Sequence, residues 1–298
     1  MATPELDRAI ALQGALLQEF GGGQTPQDFR SIYSRFMGQF SPPADVEIRP
    51  ATAGGVPAEW VIPPGASAGR TILYLHGGGY LVGAPRDYRE MVSRIARAAQ
   101  ARALAIDYRL APEHPHPAAV EDAVSAYRWL LDGGADPARI AVAGDSAGGG
   151  LTVAMLVSLR SQGVRLPAAG VCLCPWVDME MTGASMDTND AADPLVKRDV
   201  LINMAAAYLQ NQDARTPLAS PLRADLKGLP PLLVQVGTAE TLLDDAARLA
   251  ERARAAGVEV TYEPWPAMIH VWQWFGSFLP EARQAIDRIG EFIRRRAG

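Results

Sequence analysis

Short apolar runs alternate with helix-like runs along most of this chain, and that alternation restricts the fold more than any other feature of the sequence. "TILYLH" (71–76) precedes "DYREMVSRIARAAQ" (87–100), and "RALAIDY" (102–108) precedes "PAAVEDAVSAYRWLL" (117–131). "RIAVAG" (139–144) runs into "SAGGGLTVAMLVSLR" (146–160). "PLLVQVG" (231–237) leads to "LLDDAARLAERARAAG" (242–257), and "VEVTYEP" (258–264) precedes a last helical stretch. Strands that alternate with helices build an α/β fold around a mostly parallel sheet. The strand runs are almost wholly apolar, as expected when helices cover both faces.

Two stretches break the pattern. Residues 1–40 read as helical, with apolar positions at Leu6, Ile10, Leu17 and Phe20, then Phe29, Ile32 and Phe36. Residues 178–218 contain the helical run "RDVLINMAAAYLQ" but lead to no immediate strand. The expected organisation is therefore an α/β domain over 41–177 and 219–298, with 1–40 and 178–218 as a cap above the working edge of its sheet. A formal net charge of −5 gives no sign of nucleic-acid binding. Cys172 and Cys174 are the only cysteines. Two apart on a strand, they share a face at a poor separation for a disulfide, and the nearby sequence offers no further metal ligands. Both read as reduced core residues. The N-terminal stretch lacks the long apolar run of a secretory signal or a membrane span, so a cytoplasmic protein is expected.

Gly144-Asp145-Ser146-Ala147-Gly148 fits G-x-S-x-G at a strand-to-helix junction, the nucleophile elbow that exposes a serine hydroxyl on a strained turn. A phosphate loop would need a lysine that is absent here. The helix behind Ser146 leaves free amides at its N-terminus, so Ala147 N–H is a candidate oxyanion donor. "HGGGY" (76–80) also follows a strand. Its glycines offer the amides of Gly78 and Gly79 to the same oxyanion, with Gly77 and His76 as support for the loop. A serine nucleophile needs a base and a carboxylate to orient it, in the chain order Ser, acid, His for this architecture. His270 is the only histidine after Ser146. Among the acids, Glu240 directly follows a strand, whereas Asp244 and Asp245 fall in the first turns of a helix, where they suit its dipole. Asp145 reads as local support for the elbow. Glu113 and His114 read as part of a structural turn. Trp176, Met179, Met181, Met268, Trp272 and Trp274 are candidates for an apolar acyl pocket.

Together "HGGGY", "DYRLAPEHPHPAA", "GDSAGG", "CPWVDM", "GTAETLLDD" and "IHVWQWF" resemble the hormone-sensitive-lipase family of carboxylesterases, bacterial esterase family IV, from about Trp60 onward. The family's usual acid motif is an aspartate followed by Pro-Leu-x-Asp. The corresponding stretch here is Glu240-Thr241-Leu242-Leu243-Asp244, which places the acid on Glu240. The resemblance implies an α/β-hydrolase fold with an eight-stranded sheet and a helical cap. It also implies hydrolysis of short to medium acyl esters without metal or cofactor. The expected partner is a small-molecule ester, with neither nucleic acid nor membrane, and family members are often dimers. The same residues would serve an amidase or deacetylase. Receptors that resemble this family have the triad histidine replaced, whereas His270 is present here.

Overall fold

Strand interiors without polar side chains are stable only where every backbone group is paired and both faces are covered. The computed structural model, which describes residues 3–298, meets both conditions. Met1 and Ala2 of the 1–40 segment lie outside the described residues. In chain order the elements are α1 (Pro4–Phe20), α2 (Pro26–Met37), β1 (Glu47–Ala53), β2 (Val56–Ile62), β3 (Ser67–Leu75), α3 (Arg89–Ala98), β4 (Ala101–Ile106) and α4 (Ala118–Asp132). β5 (Ile140–Asp145), α5 (Ala147–Ser161), β6 (Ala169–Leu173), α6 (Ser185–Thr188) and α7 (Arg198–Leu209) follow. The chain closes with β7 (Leu232–Gly237), α8 (Leu243–Ala255), β8 (Val260–Trp265) and α9 (Pro280–Arg296).

The sheet has eight strands in the order β1-β2-β4-β3-β5-β6-β7-β8. β1 pairs with β2 and β2 with β4 antiparallel; every other pair is parallel. The alternation of runs did not reveal β1 and β2. They form a hairpin, not a strand-to-helix unit, and its signal is the Gly54-Gly55 pair, both at positive φ. That is the backbone a tight two-residue hairpin turn demands. β5 and β7 are buried along their whole length, whereas the edge strand β8 is half-exposed.

α5 is buried on all sides from Ala147 to Leu159, so it sits inside the molecule and its apolar residues need no polar face. α3 packs on α9, α4 on α5, and α8 covers β7 and β8. α1 and α2 begin with well-formed caps. Thr3 Oγ1 accepts the Leu6 amide at 3.2 Å. Thr25 and Asp28 form a reciprocal capping box, with Pro26 at the first helical position. The buried face of α1 is Leu6, Ala9, Gln13 and Leu16, so its apolar stripe carries one glutamine.

The α3–α9 contact is close because Gly290 lies against the Ala98 backbone, where a Cβ would collide. Gly14 in α1 has nothing within 4 Å of the same position. Gly290→Ala is expected to destabilise by about 1–3 kcal/mol through overpacking. Gly14→Ala should stabilise by about 0.5–1 kcal/mol, the usual gain from alanine inside a helix. Denaturant melts check both, and equal shifts in one direction would contradict this packing.

Candidate active site

β5 stops at Asp145 and α5 starts at Ala147, so a single residue turns the corner. Ser146 has φ 53° and ψ −120°, a backbone conformation that an L-residue adopts only under constraint. Its amide donates to Leu173 O at 2.8 Å, and its carbonyl accepts from Trp176 N at 3.0 Å. Gly144 and Gly148 make the corner possible. A Cβ on Gly144 would run into the Gly148 carbonyl, and one on Gly148 into the Leu75 carbonyl. The hydroxyl is thereby fixed at the carboxyl edge of the sheet, where open α/β sheets bind their ligands.

His270 stands in the loop after β8, fully buried, with Nε2 2.9 Å from Ser146 Oγ. Its Nδ1 lies 3.4 Å from Glu240 Oε1, and Glu240 Oε2 accepts the Gly237 amide at 3.2 Å. Burial opposes charge on the imidazole, yet the hydrogen bond and negative charge of Glu240 outweigh it, and the His270 pKa is raised above the usual histidine value. Glu240 itself is wholly buried in the loop after β7. That loop is braced from the 178–218 segment. Asn189 Nδ2 donates to the Glu240 carbonyl at 2.9 Å, and Asp193 Oδ2 accepts the Thr241 amide at 2.9 Å. From the other end of the chain, Gln13 Nε2 on α1 donates to the His270 carbonyl at 2.6 Å.

The glycine loop after β3 is tied down by Asp145, whose Oδ1 accepts the Gly77 amide at 3.0 Å and the Tyr74 hydroxyl at 2.7 Å. Burial pushes the Asp145 carboxyl up to about 6, against those hydrogen bonds and the charge of His270. His76 stacks on Tyr108 at 4.2 Å, and the Tyr108 hydroxyl donates to the His76 carbonyl at 2.7 Å. Desolvation lowers the His76 pKa to about 4, so its ring is neutral near pH 7. Among the described residues, the amides of Gly78, Gly79 and Ala147 donate to no protein acceptor.

Ser146, His270, Gly78 and Gly79 line one cavity of about 60 Å³ whose other walls are apolar. Of the six Trp and Met residues expected there, Trp176 and Trp274 contribute walls; Met179, Met181, Met268 and Trp272 are buried elsewhere. The sequence did not single out Leu16 and Tyr33 from α1 and α2, or Val200, Leu201 and Met204 from α7. Their helical periodicity was visible, but their facing was not. Phe20, Val82, Val200 and Met204 separate this chamber from an apolar trough of about 460 Å³ between α1, α2 and α7.

The profile of the alpha/beta hydrolase fold family matches residues 72–274. An esterase crystal structure from the bacterial hormone-sensitive lipase family superimposes with a TM-score of 0.98 at 54% identity, over 100% of both chains. The chain belongs to the hormone-sensitive-lipase family of carboxylesterases. EstE5, solved after a soak in p-nitrophenyl butyrate, aligns at a TM-score of 0.95 and 48% identity over 99% of each chain. The acetyl-hydrolase of Streptomyces hygroscopicus is 48% identical over 302 residues, covering 100% of this chain and 99% of its own. In this family member no helix among the described residues is long and apolar enough to cross a membrane.

Two expectations need correction. Asp244 and Asp245 are more than dipole partners of α8. Asp245 is fully buried, and its Oδ2 accepts the amides of Val177 and Asp178 at 3.0 Å each; Asp244 accepts the Ser185 amide at 2.9 Å. Nor is Cys174 far from other ligand-type groups. Its Sγ, a Glu240 oxygen and a His270 ring nitrogen lie within 4.8 Å of one another, because three loops converge that are distant in sequence. Cys174 is also past the end of β6, at φ 46°, so it does not continue the strand face of Cys172. Glu113 does lie in a turn, closed by the His114 amide on the Leu110 carbonyl at 2.9 Å, and its carboxylate pairs with Arg30 Nη1 at 2.8 Å.

Burial raises the Asp245 carboxyl from 3.8 to about 7. The folded state therefore holds that proton more tightly than the unfolded chain. Its contribution to stability is full below about pH 4 and is lost as pH rises through about 7. Asp245→Asn does not titrate, so the parent should lose stability relative to the variant between about pH 4 and about pH 8. Urea melts at the two ends measure this; a constant difference would mean that Asp245 is ionised throughout.

Proposed function

We propose that this carboxylesterase cleaves esters of short to medium acyl chains by two-step acyl transfer, with Ser146 as nucleophile, His270 as base and acid, and Glu240 as the carboxylate that orients it. The supporting observation is the hydrogen-bonded series from Ser146 Oγ through His270 Nε2 and Nδ1 to Glu240 Oε1, beside uncommitted amides in an apolar chamber.

His270 Nε2 takes the Ser146 proton as Oγ attacks the ester carbonyl carbon. Glu240 stabilises the imidazolium that forms. The amides of Gly78, Gly79 and Ala147 donate to the oxyanion. Collapse breaks the ester C–O bond, and His270 gives its proton to the departing alkoxide. A water molecule, deprotonated by the same nitrogen, then attacks the acyl-enzyme and releases the acid and Ser146.

In this proposal residues 1–40 and 178–218 act as the cap. Leu16 and Tyr33 from one segment and Val200, Leu201 and Met204 from the other close the chamber over Ser146. The chamber volume favours a small acyl group. Similarity to a protein named acetyl-hydrolase and to an esterase soaked with a butyrate ester supports the same choice. The proposed partner is a small-molecule ester in a cytoplasmic setting, without membrane or cofactor, and the net charge of −5 gives no sign of nucleic-acid binding. A homodimer, common in the family, belongs to the same proposal.

A serine-directed organophosphate is expected to label Ser146 alone, as read by peptide mass spectrometry. Ser146→Ala should lower kcat by about 10⁶, the scale found when a triad nucleophile is removed. Retained turnover in a clean Ser146→Ala preparation would overturn the assignment. Across p-nitrophenyl esters, kcat/KM should peak at about four to six acyl carbons, since each methylene adds about 0.8 kcal/mol only while apolar wall remains. A continuous rise to palmitate would instead indicate a lipase.

Glu240→Gln retains the shape and removes the charge that raises the His270 pKa. It should cost at least about 10² in kcat, less than the roughly 10⁴ of the chymotrypsin-type precedent. Near-parental kcat in a folded Glu240→Gln variant would refute the role of Glu240.

A further inference from the structure

We infer that Cys174 is a positioning residue for the Glu240 carboxylate, donating its thiol proton to Glu240 while its sulfur accepts the amide that follows His270. The inference rests on the triad proposed above and adds a fourth member whose chemistry that proposal does not use.

The observations come from three converging chain segments. β6 ends at Leu173, and the next residue, Cys174, turns into the left-handed region at φ 46°. Its amide is fixed on Gln235 O of β7 at 2.7 Å. Val271, directly after His270, is likewise left-handed, at φ 45°. A left-handed backbone at two non-glycine residues is costly and persists only where the surroundings demand it. Here the two meet. Val271 N–H points at Cys174 Sγ, 3.2 Å away and fully buried. Without the sulfur, that buried amide would lack an acceptor.

A thiol that accepts an N–H through a sulfur lone pair still has one proton to place. The Glu240 carboxylate is the acceptor beside it, within the same 4.8 Å cluster. Glu240 has capacity to accept it. A buried carboxylate has room for about four donors, yet among the described residues only two approach it in the hydrogen bonds already named, at 3.2 and 3.4 Å. Burial first, and then the charge of Glu240, push the Cys174 thiol well above its ordinary range, so the proton stays on sulfur at working pH. Cys174 is therefore a donor and neither a nucleophile nor a thiolate. It restrains Glu240 beside His270 and couples that restraint to the backbone that carries the imidazole.

Infrared spectroscopy and a substitution pair test this. In the Cys172→Ala background the S–H stretch reports Cys174 alone. It should lie at lower frequency than a thiol without an acceptor and move up when Glu240→Gln is added. This readout needs no turnover, so its failure is separable from failure of the triad. For kinetics, each preparation is normalised by active-site titration with an organophosphate, which removes any loss of folded protein from the comparison. Cys174→Ala keeps the Cβ and the backbone preference. It is expected to lower kcat by about tenfold, on the scale of one hydrogen bond to a charged group, with KM essentially unchanged. Cys174→Ser restores a donor and an acceptor and should recover most of that loss. Parental kcat in Cys174→Ala, a Cys174→Ser variant as slow as Cys174→Ala, or an S–H band indifferent to Glu240→Gln would each overturn the inference.

Discussion

The strained corner at Ser146 is the constraint on which the site depends. A residue at φ 53° and ψ −120° costs about 1–3 kcal/mol and stays there only if its neighbours leave no alternative. β5 is paired on both sides, by β3 and β6, and α5 is enclosed on every face. Gly144 and Gly148 bring strand and helix so close that neither can relax. The same crowding sets the adjacent loops. The carbonyls of Leu75 and His76, where the glycine loop begins, lie against Gly148, and Leu173, where the Cys174 loop begins, holds the Ser146 amide. Ser146, the glycine loop and the Cys174 loop thus start from one packed point.

Buried carboxyl groups fasten the loops that leave it. A carboxylate taken out of water is costly unless hydrogen bonds satisfy it. Each one here is satisfied by a different chain segment. Asp145 holds the Gly77 amide, Asp245 holds Val177 and Asp178, and Asp193 holds Leu195, Val196 and Thr241. Desolvation therefore becomes a geometric restraint. Freeing any of these loops would leave a buried carboxyl group without partners, which costs more than the hydrogen bonds alone contribute.

The covering helices are joined to the same network. Gln13 on α1 reaches the His270 carbonyl, and Tyr208 on α7 stacks on Tyr80, next to the glycine loop, with centroids 3.9 Å apart. Wall and chemistry are mechanically linked.

The sequence by itself determined the layered α/β class, the elbow around Ser146, the glycine loop and the order of Ser146, Glu240 and His270, since each is written in local spacing: period, glycine placement, chain order. It also separated residues 1–40 and 178–218 from the alternation. It did not reveal the hairpin of β1 and β2, because a hairpin breaks the strand-to-helix rhythm. Only the tertiary structure decided which side of α1, α2 and α7 faces Ser146, that Gln13 meets His270, that Asp245 is buried under the loop after β6, and that Cys174 stands beside Glu240. Those facts depend on contacts between residues tens to hundreds of positions apart. Periodicity fixes which residues share a face of a helix, but what that face touches is set by how the whole chain closes around the sheet.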